Sequence, residues 1–182
     1  MLNLNNFGID LLYSKGTDSI NLSTGLKDAV LNNYLTNLSE INTLILNDST
    51  ISSTEKEQIQ SIQESLDIAI SNNNILYLNN QINDHINLYE NTTWGENQGE
   101  LISGYLYIMK GSLEYWNGEI NQGGDNNKQT FALVQVDAAG YLYGWFKAWA
   151  IDKLQNENDR IKAGLNTGLQ FSFVRGLGYV IK

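Results

Sequence analysis

Asp84 and His85 stand side by side, and His85 is the only histidine in the chain. A carboxylate and an imidazole can share acid–base work. No nucleophile or second acid is set beside them by spacing. A lone imidazole on an Asn-rich helix reads more simply as a surface residue. Asp137 is the other candidate acid. It sits near the start of the apolar run VDAAGYLYGWFKAWA, residues 136–150. A carboxyl held among apolar groups keeps its proton to higher pH and can act as an acid. The competing reading pairs it with a backbone amide, a tyrosine hydroxyl or Arg175, because buried charges are normally paired. Asp137, Tyr141, Trp145 and Trp149 share one helical ridge. Tyr141, Trp145 and Trp149 are candidate binding residues, able to stack on a sugar or an apolar ligand. Their helical spacing favours core packing instead. No residue is assigned a catalytic role; Asp137, His85 and Asp84 are the candidates.

Other chemistries are closed. With no cysteine, thiol catalysis, disulfides and zinc–thiolate sites are excluded. One histidine excludes multi-histidine metal clusters, and any Ser-His-Asp triad would have to use His85. The polar stretch NGEINQGGDNNK, 117–128, fits neither a P-loop nor a dinucleotide loop. Its acids do not fall at EF-hand positions. No metal and no cofactor are therefore expected. The net charge is −9 and the isoelectric point about 4.4. Phosphate binding needs clustered Lys and Arg, and the basic residues here form no run, so nucleic acid is not an expected partner. Acidity gives no pull toward anionic lipid either.

These residues need elements to position them. The chain has 182 residues, no proline, and a hydrophobic fraction of 42%. That is enough for one domain with a core, and uninterrupted helices are allowed. Nothing alternates with period two. Apolar residues recur instead at three- and four-residue steps. The expectation is a single all-α domain over 1–182, a bundle of about five or six helices. Residues 1–22 read as an irregular arm, 24–117 as amphipathic helices, 118–129 as a polar and mobile loop, and 130–181 as a Gly- and aromatic-rich hairpin. Within 24–117 the helices are placed at 24–46, from a capping box at Ser52/Glu55 or Thr54/Glu57 onward, from Ile75 to Tyr89, and at 99–117. SNNN, 71–74, either breaks a helix or is an exposed turn of one. The hairpin helices are placed at 130–152 and 157–180.

Small residues mark that hairpin. Gly140, Gly144 and Ala148 lie four apart, as do Gly164, Gly168, Ser172 and Gly176. Each set forms one ridge. A helix-interior glycine costs about 1 kcal/mol relative to alanine, so the repetition calls for a use, and close backbone approach supplies it. An antiparallel turn near residue 154 sets Gly140 level with Ser172, Gly144 with Gly168, and Ala148 with Gly164. A membrane span at 131–151 has the length, about 20 residues. It would bury Gln135, Asp137 and Lys147, at about 2.5–3.5 kcal/mol per mid-membrane charge. Helix 157–180 adds Lys162, Asn166, Gln170 and Arg175.

The segment ALVQVDAAGYLYGWFKAW followed by AGLNTGLQFSFVRG resembles the C-terminal region of uncharacterised Bacteroidota proteins. Those carry an apolar helix with a D-A-x-G core, then a second small-residue helix. The resemblance covers roughly the last 55 residues. NNFGIDLLY loosely keeps the Asn, Phe and Gly of an N-terminal segment found in those proteins and lacks its His-Asn. The resemblance implies a bacterial origin, is compatible with export, and supplies no catalytic residue.

The residues name no reaction. The favoured reading is a non-enzymatic bacterial interaction or structural protein, envelope-associated or secreted, with a protein partner or a second copy of itself. One alternative is a bacteriocin- or toxin-like protein that inserts the 130–181 hairpin into a membrane, or an acidic immunity-type partner of one. A second is a hydrolase-type enzyme using Asp137 or Asp84/His85. The first residues lack a basic segment followed by an apolar one, which leaves a cytoplasmic protein or one exported after removal of a leader.

Overall fold

The computed structural model describes residues 45–95, 98–120, 127–151, 156 and 158–168. They form an all-α bundle, and no strand occurs among them. Helix α1 spans Ser53–Ser71. Of the two expected capping boxes, Ser52/Glu55 forms: the Glu55 amide donates to Ser52 Oγ at 3.2 Å and the Ser52 amide to Glu55 Oε2 at 3.1 Å. This satisfies amides that a helix start leaves without partners. SNNN breaks the helix: α1 ends at Ser71 and the next helix starts at Ile75. Asn73 takes a left-handed φ of 51°, a conformation Asn tolerates better than most residues. Asn74 then caps α2 (Ile75–Asn91) by accepting from the Tyr77 amide at 2.8 Å.

A short connection leads from α2 to α3 (Glu100–Ile120). Its Trp94 indole donates to the Tyr89 carbonyl at 3.0 Å. The Gly99 amide donates to Glu55 Oε1 at 2.8 Å, so one carboxylate both caps α1 and holds the approach to α3. Gly99 has φ of 85°, which glycine adopts without strain. Helix α4 covers Asn127–Phe146 and passes into a π-helical turn, Lys147–Ile151. Helix α5 is described over 158–168.

The expected polar loop at 118–129 is shorter than the sequence suggests, because α3 runs on through Ile120 and α4 already starts at Asn127. Nothing lies within 4 Å of where a Gly118 side chain would begin. That open surroundings leaves a glycine in the last turns with no packing conflict. The π-helical turn was not expected either. The arm 1–22, most of helix 24–46, and the positions Ser172, Phe173, Arg175, Gly176 and Leu177 lie outside the described residues.

The core follows the stripes. Ile59, Ile62, Leu66 and Ala69 of α1 are buried, as are Leu78, Ile82 and Ile86 of α2. Ile102, Tyr105, Met109 and Leu113 of α3 join them. Each such isoleucine, leucine or methionine contributes roughly 1.5–3 kcal/mol on full burial. Helix α3 packs most extensively on α4. Helix α4 is buried on nearly all sides, from Phe131 to Trp145, and is the central element among those described.

Candidate functional site

The ridge Asp137, Tyr141, Trp145 of α4 lies between α3 and α5, and each of its members makes a different layer. The first layer is ionic. Arg160 of α5 donates from Nε to Glu100 Oε1 and from Nη2 to Glu100 Oε2, the latter at 2.8 Å. The Trp145 indole N–H donates to the same Glu100 Oε1 at 2.7 Å. Glu100 and Arg160 are 4% and 5% exposed, so this is a pair taken out of water. Its charges are met by a bidentate contact and one further donor, the form in which buried pairs persist.

The middle layer is aromatic. Tyr141 is fully buried, and its hydroxyl donates to the Glu100 carbonyl at 3.4 Å. A Cβ on Gly104 of α3 would stand 1.8 Å from the Tyr141 hydroxyl oxygen. A Cβ on Gly164 of α5 would stand 2.7 Å from the ring. Two glycines from two helices thus make the slot that the phenol fills.

The third layer is polar again. Asp137 is buried and accepts at Oδ2 from the Ser112 hydroxyl and, at 3.2 Å, from the Trp116 indole. Both donors come from α3. On the α5 side, a Cβ on Gly168 would lie 2.7 Å from the Asp137 carbonyl oxygen. Asp137 therefore has partners the sequence did not suggest, a serine and a tryptophan one helix away.

The small residues do bring α4 and α5 close, but in a different register from the expected one. Gly144 faces the Ala163 carbonyl and Thr167, not Gly168. Gly164 faces Tyr141, not Ala148, and Gly168 faces Asp137 and Tyr141. The reason is steric. The space beside Gly164 is taken by an aromatic ring rather than by a facing small residue. Gly140 and Ala148 are buried, and Ala148 lies in the π-helical turn. That turn also carries Trp149, whose ring stacks on Trp145 with centroids 5.7 Å apart and planes 20° apart. Phe146 meets Trp149 edge-on. Trp145 and Trp149, candidates for ligand stacking, thus stack on each other.

His85 belongs to another seam. Contrary to its expected surface position it is buried, and Nε2 lies 3.1 Å from the Ser65 hydroxyl of α1. It stands three residues after Ile82 and four before Tyr89, on the α2 stripe. That placement, not its polarity, decides its burial. Ser65 Oγ also donates back to the Ser61 carbonyl at 3.0 Å, the usual engagement of a serine inside a helix. Burial lowers the His85 pKa from its ordinary value, and the neighbouring Asp84 carboxylate opposes that shift. Asp84 itself is exposed and accepts from Gln81 Nε2 at 3.4 Å. Asp137 and His85 thus have separate hydrogen-bonding partners, on α3 and on α1.

Glu100, Gly104, Ser112 and Arg160 were not singled out by sequence. A signal existed: Arg160 lies four residues before Gly164, and Glu100 four before Gly104, so each continues a small-residue ridge into a charge. Among the described residues no three His, Asp or Glu side chains cluster as a metal ion needs. No helix among them is long and apolar enough to cross a membrane. No family model matches the chain, and neither a curated protein nor a solved structure matches it.

Proposed function

We propose that this chain is a non-enzymatic interaction or structural protein of bacterial origin, envelope-associated or secreted. The observation that supports this reading is the use made of its buried polar groups. Glu100, Arg160 and Asp137 each engage side chains of a neighbouring helix. An acid–base catalyst needs a group turned toward a substrate, whereas these groups fasten α3, α4 and α5 together. The aromatic row is likewise occupied by helix packing. What is left to act is the surface of an acidic bundle, and an acidic surface suits protein recognition better than nucleic acid.

The test is a turnover screen run with wild type and two variants, Asp137→Asn and His85→Gln, against ester, amide, glycoside and phosphate substrates. The reading expects no turnover above background. Hydrolysis that disappears in either variant would sink it. Light scattering over a concentration series separates self-association from binding to another protein.

A further inference from the structure

We draw no further inference here: the strongest candidate, the aromatic corner formed by Tyr89 of α2, Trp94 of the connection and Tyr107 of α3 beside the Glu90 carboxylate, carries nothing because these groups are engaged with one another, Trp94 packing on Tyr89 and Gly99 and the Tyr107 hydroxyl donating to Glu90.

Discussion

Asp137 shows how little a residue's type says until its neighbours are known. A carboxylate at the head of an apolar run reads equally as a catalyst or as a tether. The Ser112 and Trp116 donors make it a tether. Asp137→Ala would leave a buried hydroxyl without its acceptor and deprive the indole of the same partner. A loss of about 1–3 kcal/mol is expected in urea unfolding. Glu100 carries a larger stake, since Glu100→Met removes the buried carboxylate to which both Arg160 and Trp145 donate. The expected cost is about 3–5 kcal/mol. Replacing both, Glu100→Met with Arg160→Met, should cost clearly less than the two single changes added together. Additive losses would mean that the pair is not the unit. His85 gives a dependence on pH. Its folded pKa lies below the ordinary 6.5, so the folded state binds fewer protons than the unfolded one. Its contribution is fully present above about pH 6.5 and is lost as pH falls toward the lowered folded value. Carboxylates add slopes of their own, so the readout is the difference between wild type and His85→Gln. The variant should lose less stability between pH 7 and pH 5. Equal slopes would contradict the burial of the imidazole.

Helices were legible in the sequence where one periodic stripe decided them. Ile59, Ile62, Leu66 and Ala69 are buried as their spacing implies, and Ser52 caps α1 with Glu55. Contacts between helices were less legible. The small-residue ridges announce close approach, but not which groups fill the space. Gly164 could have met Ala148 on spacing alone, and it meets the Tyr141 ring because that ring also needs Gly104. A three-body fit of that kind cannot be read from two ridges. The same geometry makes glycines of α3 unequal. Gly104→Ala drives a methyl into the Tyr141 phenol, and a loss of about 1–3 kcal/mol or more is expected. Gly111, in the same helix, has nothing within 4 Å of where its Cβ would stand. Gly111→Ala should therefore be neutral or raise stability by up to about 1 kcal/mol, since alanine is the better helix former. Thermal unfolding of the two variants side by side checks the slot around Tyr141. Equal effects would refute it.

For the whole molecule, the all-α class followed from the absence of period-two alternation. The layout of charge inside the bundle did not, because Glu100 and Arg160 are 60 residues apart. A seam with buried ions at one end and a buried carboxylate at the other opposes transfer of α4 and α5 into hydrocarbon. Dye release from vesicles is expected to stay at background at neutral and acidic pH; rapid release would favour the inserting-hairpin alternative. The shared carboxylate of Glu55 has a consequence of another kind. Gly99 lies in a connecting segment, where backbone amides ordinarily trade their hydrogens with water quickly. Its amide is instead bound across 44 residues to the first turn of α1. Its deuterium uptake should therefore be as slow as that of the α1 cap and share its denaturant dependence. If so, the start of α1 and the start of α3 open as one cooperative unit, and a loop residue reports when a distant helix end lets go.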